Sequence, residues 1–476
     1  MSARWLTGPT TALPMIALLG LTACGGSPQT APAATPTATP PPPKPNLVVV
    51  VTDDLDFPSA PSLTRLADLV ANQGLAFTRA YVPQPLCAPS RASILTGQYA
   101  HNHGVTDNTT PQGFPAFRPH EASTLATWLK AAGYRTSLVG KYLNSYAAGA
   151  AETYIPPGWD DWYGHLESEQ DGRYQDYSVN DNGTVVTYDS RTEDYSVDAE
   201  TARAVSFIHS SAGRQEPLFL YLAPQSPHVP ANYPGRYNDD FRDATCPRVP
   251  SFNESNVHDK PSWIRQIAPM TPAQIDGCDA LEVRRLRSME PVEDEIAAVR
   301  QALADTGRLD TTYLFFTSDN GLLMGQHRVV GGKANAYEES ARVPLAVRGP
   351  GVPVGSVGQP VLHIDLAPTL LELAGVPIPD SVDGRSLVPF LRGTAPASWR
   401  SDVLIENWDN GFWDALRTPD FAYIHNSTDE LELYDMKNDP YQLKNLRAQV
   451  DPSVLAGYEQ RIKVLLSCHG ASCRDD

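Results

Sequence analysis

The sequence predicts an α/β fold: a large, mostly parallel mixed sheet sandwiched by helices, with a smaller C-terminal subdomain built on an antiparallel sheet. Three observations carry this. Apolar runs of four to six residues, the pattern of strands covered on both faces, each end in a polar group capable of chemistry. Segments with helical spacing of leucine and alanine fall between them, an alternation that pairs strands in parallel and puts helices on both faces. From about Trp399 the texture changes to short runs separated by turn residues.

Taken in order, Leu47 to Val51 is the first strand and delivers Asp53 and Asp54 at its carboxyl end. Ser62 to Gln73 reads as a helix after a serine cap, and Pro89 leads into another over Ser90 to Gly97. Glu121 to Ala132 repeats the helical pattern before Gly133. Thr136 to Val139 is a strand ending in Gly140-Lys141-Tyr142, and Asp198 to Ser210 a helix. Leu218 to Leu222 ends in Ala223-Pro224-Gln225-Ser226-Pro227-His228. Pro291 to Thr306 is a helix, and Thr312 to Thr317 a strand ending in Ser318-Asp319-Asn320-Gly321. Ligands of open α/β sheets gather beyond the carboxyl ends of parallel strands, so four polar strand ends place a site there. Asp402 to Glu406, Phe421 to His425 and Leu431 to Tyr434 form the small antiparallel sheet, and Val454 to Leu466 a closing helix capped by Ser453.

A chain of 476 residues exceeds what one core supports, which predicts a domain over residues 46–398 and a subdomain over 399–476. The formal charge of −18 argues against a nucleic-acid partner, since phosphate contacts need a basic face. Residues 1–23 read as a leader, with Arg4 before an apolar stretch too short to span a bilayer. It ends in Leu21-Thr22-Ala23-Cys24, which resembles a bacterial lipobox and implies export, lipidation of Cys24 and anchorage to the outer face of the cell membrane. An ordinary cleaved leader, giving a secreted protein, is the alternative. Residues 24–45 form a Pro/Ala/Thr-rich linker in extended polyproline II. The remaining cysteines besides Cys87 pair with least demand as Cys246 with Cys278 and Cys468 with Cys473; buried free thiols are the alternative.

The most informative stretch is Cys87-Ala88-Pro89-Ser90-Arg91, followed by Leu95-Thr96-Gly97. A thiol and a fixed cation sit just before a helix, where orphan N–H groups favour an anion. Asp53, Asp54, Asp319 and Asn320 offer hard oxygen ligands without imidazole, suiting Ca²⁺ or Mg²⁺ over Zn²⁺.

Together these motifs resemble the sulfatase family. The resemblance implies that a formylglycine-generating enzyme converts Cys87 to an aldehyde whose hydrate is the nucleophile. It also implies that Asp53, Asp54, Asp319 and Asn320 bind a calcium ion that touches the modified Cys87, and that Arg91 orients the hydrate. By position, Lys141, His228 and Lys333 match groups that clamp the sulfate and protonate the leaving alcohol, and Asp319 is the candidate for taking the nucleophile's proton. His103, beside His101, is a further substrate-binding candidate, and His327 with Arg328 either faces substrate or has a structural role. Gly140-Lys141-Tyr142-Leu143-Asn144-Ser145-Tyr146 lacks the histidine many sulfatases carry two residues after the lysine. Its wording resembles the N-acetylglucosamine-6-sulfatase and heparan endosulfatase branch, with Asn144 as a polar substrate contact. The implied activity is removal of sulfate from a sulfated sugar, such as N-acetylglucosamine-6-sulfate or a glycosaminoglycan, or from an aryl sulfate. A phosphatase or phosphonate monoester hydrolase on the same scaffold, and a non-catalytic lipoprotein that binds sulfated glycans, are the alternatives. The resemblance runs from about Asn46 to Leu446, apart from an insertion at about Asp239 to Arg287.

Overall fold

The computed structural model describes residues 43–166, 173–408 and 412–474; the leader, Cys24 and the linker up to residue 42 lie outside them. Among the described residues the main sheet has ten strands. In chain order they are β1 (Asn46–Thr52), β2 (Leu75–Phe77), β3 (Arg135–Gly140), β4 (Asp161–Leu166), β5 (Ser178–Asp181), β6 (Thr184–Thr187), β7 (Leu218–Ala223), β8 (Thr312–Ser318), β9 (Leu345–Arg348) and β10 (Gly355–Val357). Across the sheet they lie in the order β10-β2-β9-β8-β1-β7-β3-β4-β5-β6. The five neighbours β8, β1, β7, β3 and β4 are parallel. Strand β9 is antiparallel to β8 and β2, and β5 and β6 continue antiparallel on the other side.

The unbroken apolar runs follow from burial on two faces. Leu47, Val49 and Val51 of β1 join one core with Leu138, Phe219 and Phe315, while Val48 and Val50 join the other with Leu220, Leu314 and Phe316. Each such side chain contributes about 2 kcal/mol by leaving water, and polar alternation on β1 would forfeit one core. All four strands expected from the sequence are present. The short β2, β9 and β10 were not expected, because three or four residues carry too little pattern.

Helix boundaries moved where capping overrode composition. The helix expected at Ser62–Gln73 is divided into an α-helix at Thr64–Leu69 and a 3₁₀ turn at Ala71–Gln73, with Leu63 rather than Ser62 before the first. That expected at Glu121 begins at Leu125, where Thr127 Oγ1 accepts from the Thr124 N–H at 3.0 Å. Pro291 does not start a helix. It lies inside a 34-residue helix, Pro272–Asp305, which begins where the Thr271 N–H donates to Gln274 Oε1 at 2.9 Å. An internal proline costs about 3 kcal/mol, and here the face bearing Val292, Ile296, Val299 and Leu303 is buried on the sheet, which offsets it.

The C-terminal strands β11 (Val403–Asn407), β12 (Trp413–Arg417), β13 (Phe421–His425) and β14 (Leu431–Asp435) pair antiparallel in sequence order. The closing helix is Pro452–Leu466, capped by Asp451, whose carboxylate accepts from the Ser453 N–H at 2.8 Å. This sheet shares a core with Tyr81, Tyr99, Ile264, Tyr337 and Leu362, so it is welded to the main domain. The cysteines pair as Cys246–Cys278 and Cys468–Cys473.

Two carboxyls enclosed by these elements hold protons above the usual range: burial pushes Glu293 up to about 8 and Glu339 up to about 7. In the unfolded chain both release protons near about 4.3. The native state therefore binds more protons in between, and this contribution to stability falls as pH rises through that window. Glu293→Gln is therefore expected to shift the urea midpoint upward more at about pH 8 than at about pH 5.5; an equal shift at both pH values would contradict it.

Candidate active site

Parallel pairing of β8, β1, β7 and β3 brings four strand ends to one mouth. Asp319 follows β8, and its N–H donates to the Thr52 carbonyl at 3.0 Å. Asp53 follows β1 and donates its N–H to the Ser226 carbonyl beyond β7 at 3.0 Å. Lys141 follows β3 and donates its N–H to the Ala223 carbonyl at 2.8 Å. This last contact needs Gly140, with φ of +106°, because a Cβ there would lie 2.3 Å from the Ala223 oxygen.

The nucleophile motif opens a helix, Cys87–Thr96, one turn earlier than expected, with Leu86 before it and Asn108 Oδ1 accepting from the Ala88 N–H at 2.9 Å. Cys87 is thus at the positive end of the helix, and Arg91 is one turn in. Cys87 Sγ lies 3.4 Å from Asp53 Oδ1 and 3.0 Å from Lys333 Nζ. Lys141 Nζ donates to Asp53 Oδ2 at 2.7 Å, and Lys333 Nζ to Asp54 Oδ1 at 2.7 Å. Asn320 Nδ2 donates to Asp54 Oδ1 at 2.6 Å, and Arg91 Nε to Asp319 Oδ2 at 2.8 Å. His228 Nε2 stands 3.6 Å from Asp54 Oδ2, while its Nδ1 is 2.6 Å from the Val229 carbonyl oxygen.

Burial opposes charge on Asp53 and Asp54, yet Lys141 and His228 at the first and Lys333 and His228 at the second pull both below the usual carboxyl range. Asp319 goes the other way: burial, then the charge of Asp53, push it up to about 6. Burial pushes the Cys87 thiol up to about 12, so an unmodified Cys87 is a poor thiolate nucleophile here. Burial also lowers His228, against the pull of Asp54 and Asp53.

Ligand atoms of Asp53, Asp54, Cys87 and Asp319 all lie within 4.8 Å of one another. Asn320 Oδ1, beside them, is buried without a protein partner, as is Arg91 Nη2. Oxygen donors, an orphaned amide oxygen and no imidazole within the set fit a hard divalent cation. Three carboxylates against Arg91, Lys141 and Lys333 balance formally, so a divalent ion would leave the mouth positive and suited to an anionic ester.

The sulfatase family model matches residues 45–376. The chain belongs to the sulfatase family. It is therefore a sulfuric ester hydrolase, and residues 325–464 also match the model described as N-sulphoglucosamine sulphohydrolase, C-terminal. Among curated relatives, the human N-acetylglucosamine-6-sulfatase is 33% identical over 483 residues, covering 90% of this chain and 86% of that protein. The Drosophila melanogaster extracellular sulfatase SULF-1 homolog is 35% identical over 376 residues, 78% of this chain and 33% of the relative. A solved complex of BT4656 with its substrate D-glucosamine-2-N,6-O-disulfate superposes with a TM-score of 0.73 at 24% identity, covering 88% of this chain and 97% of that one. The phosphonate monoester hydrolase of Agrobacterium radiobacter gives 0.68 at 21% identity, over 89% and 95%. Both structures speak to the fold.

The sulfatase mouth thus gathers Asp53, Asp54, Cys87, Arg91, Lys141, His228, Asp319, Asn320 and Lys333. Two expected substrate contacts are elsewhere. His103 is fully buried, its Nε2 3.1 Å from Ser93 Oγ and its Nδ1 accepting from the Val105 N–H at 3.1 Å. His327 is also fully buried, its Nδ1 2.7 Å from Glu254 Oε2 and its ring 4.3 Å from that of Tyr337. Both are packing histidines, and Arg328 has the structural role, donating to the carbonyls of Glu254, Ser255 and Ile267. Asn144 is nearly buried, and its carbonyl accepts from the Phe114 N–H at 3.0 Å.

Sequence reasoning missed Arg285. It lies in the insertion, yet its Nη2 donates to the Asp54 carbonyl at 2.6 Å and to Asp56 Oδ2 at 2.8 Å, and its Nη1 to Glu282 Oε2 at 2.9 Å. Asp54 is left-handed, with φ of +70°, and Arg285 holds that turn in place. No local signal marks an arginine more than two hundred residues away as a support for Asp54. Arg285→Gln is expected to weaken Ca²⁺ or Mg²⁺ binding about tenfold or more, by calorimetric titration. It should also cost about 3 kcal/mol of stability in urea by unpairing buried carboxylates; unchanged cation affinity would show that Arg285 does not support the ligands.

Proposed function

We propose that this sulfatase removes sulfate from a sulfated amino sugar of the N-acetylglucosamine-6-sulfate type, using a formylglycine made from Cys87 and a bound Ca²⁺, with Mg²⁺ as the substitute. The observation that carries it is Cys87 Sγ at the junction of Asp53 and Lys333, 3.4 and 3.0 Å away, at a helix N-terminus. The branch-like wording at Lys141 to Tyr146 and the similarity to the human N-acetylglucosamine-6-sulfatase support the substrate class. So does the glucosamine disulfate in the BT4656 complex.

Asp53, Asp54, Asp319 and Asn320 would hold the cation. When present, the aldehyde hydrate supplies an oxygen nucleophile and the cation supplies charge stabilisation. Arg91, fixed by Asp319 and the Lys141 carbonyl at 3.1 Å, keeps Nη2 available to orient the modified side chain. Lys141 and Lys333, which lie on Asp53 and Asp54, are the groups left to meet the sulfate oxygens once a cation takes those carboxylates. Asp319, whose carboxylate lies within 4.8 Å of Cys87 Sγ, is the acceptor for the nucleophile's proton. His228, half-buried with Nδ1–H on the Val229 carbonyl, directs Nε2 toward the mouth and Asp54, and in its doubly protonated form it would be the donor to the leaving alcohol. Asn144 is retained as a sugar contact. Maturation would take a formylglycine-generating enzyme, and the lipobox-like leader supports a location outside the cell on a lipid at Cys24.

Coexpression with a formylglycine-generating enzyme is expected to yield a Cys87 peptide lighter than the thiol by mass spectrometry and turnover of N-acetylglucosamine-6-sulfate. Cys87→Ala should lower kcat on the order of a thousandfold or more, and chelation of divalent ions should abolish turnover reversibly. Full activity with an unmodified Cys87 would sink this reading.

A further inference from the structure

We propose that the end of the main sheet opposite the catalytic mouth is a basic docking face for the anionic phospholipid surface of the cell membrane, and that it seats the enzyme with its mouth turned away from the bilayer. This rests on the reading of Cys24 as a lipid anchor. The topology gathers the face. Parallel strands that bring their carboxyl ends to the mouth bring their amino ends together on the far side. Lys44 lies just ahead of β1, Arg135 opens β3, Arg214 stands in the turn before β7 and Arg308 in the turn before β8. Arg348 ends β9, which runs antiparallel to β8, and Arg300 is in the last turns of the helix Pro272–Asp305, so both reach the same end.

What these six cations touch is uncharged. Arg308 donates from Nη1 to Asn46 Oδ1 at 3.0 Å and from Nη2 to the Arg214 carbonyl at 2.8 Å. Arg300 and Arg348 both donate to the Leu69 carbonyl, at 3.1 and 3.4 Å. Lys44 Nζ donates to the Ala132 carbonyl at 2.8 Å, Arg135 Nη1 to the Phe207 carbonyl at 3.1 Å and Arg214 Nε to the Ser210 carbonyl at 3.2 Å. Among the described residues none of the six forms an ion pair. Burial accordingly lowers the proton affinity of Arg135, Arg300, Arg308 and Arg348, with no carboxylate in contact to restore it, and all remain guanidinium ions.

Against them stand the exposed carboxylates Asp68, Glu216, Asp305 and Asp310, while Asp160 and Asp161 are taken by Lys130 and Arg203 at 2.9 and 2.5 Å. The end therefore keeps a surplus of cations in a chain whose formal charge is −18. Anionic headgroups attract it within a Debye length and repel the acidic remainder, so the charge distribution orients the molecule even where the net attraction is small. The same end carries the tether. Residues 24–42 join Cys24 to the described chain just before Lys44, a span of about 60 Å at most in extended polyproline, which keeps this face within reach of the bilayer. Docked in this way, the enzyme presents its mouth to sulfate esters outside the cell rather than to membrane phosphates.

The test uses the full chain as exported, on vesicles of phosphatidylcholine alone or with about a third phosphatidylglycerol. A fluorophore on Ala212→Cys, exposed at the basic end, or on Val330→Cys, exposed beside the loop of Lys333, reports energy transfer to headgroup-labelled lipid. On the anionic vesicles the probe at 212 is expected to transfer about twofold or more above that at 330, a preference lost on phosphatidylcholine alone and at about 0.5 M salt. Lys44→Glu combined with Arg214→Glu should abolish the preference and leave hydrolysis of nitrocatechol sulfate at the wild-type rate, which shows the variant folded. Equal transfer at the two positions, stronger transfer at 330, or a preference indifferent to the charge reversal would overturn the docking face. The mass of the amino-terminal peptide reads the lipid separately: an unmodified Cys24 would overturn the anchor reading, while the same two probes still decide whether anionic vesicles draw in the basic end.

Discussion

The structure depends on holding three carboxylates and three fixed cations together in a largely buried site. Each of Asp53, Asp54 and Asp319 would be costly to bury alone, and each is tolerated because Lys141, Lys333 or Arg91 reaches it directly. Such a cluster cannot be built from one stretch of chain. It needs the carboxyl ends of β1, β3, β7 and β8 in register, and that register is set by strands buried on both faces. The two hydrophobic cores and the charged mouth are therefore one construction.

The same constraint explains the supporting shell. Asp54 is left-handed, and the Arg285 guanidinium under its carbonyl fixes that turn while Asp319 Oδ1 accepts its N–H at 3.1 Å. The long helix that supplies Arg285 carries an internal proline at a cost its buried face offsets, and the Cys246–Cys278 disulfide ties the insertion to it. His103 and His327 belong to this shell too. One packs on Ser93 of the nucleophile helix, and the other braces the loop that leads to Lys333.

The C-terminal sheet extends the site. Its strand β12 puts Trp413 against the Ala334 carbonyl, next to Lys333, and the Glu406 N–H of β11 donates to the Pro83 carbonyl at 2.8 Å, just before the nucleophile motif, so the subdomain meets the catalytic mouth at two loops.

Much of this was legible in the chain because strong local patterns coincide with chemistry. The strands at Leu47, Leu218 and Thr312 are largely apolar runs of five or six residues and that at Thr136 a shorter one, so their existence and their polar ends are legible in the sequence, and the Cys87 to Arg91 run with Asp53-Asp54 and Asp319-Asn320 pointed to the family. Helix starts were less legible: those at Leu125 and Pro272 are set by single capping side chains of their own first turn, and that at Cys87 by Asn108, twenty residues further on. Strands of three residues carry no period to read. Only the tertiary structure decided that His103 and His327 are packed and that Arg285 supports Asp54. Sequence determines which groups a strand end delivers; burial, and contacts between residues far apart in the chain, determine which of them face a substrate.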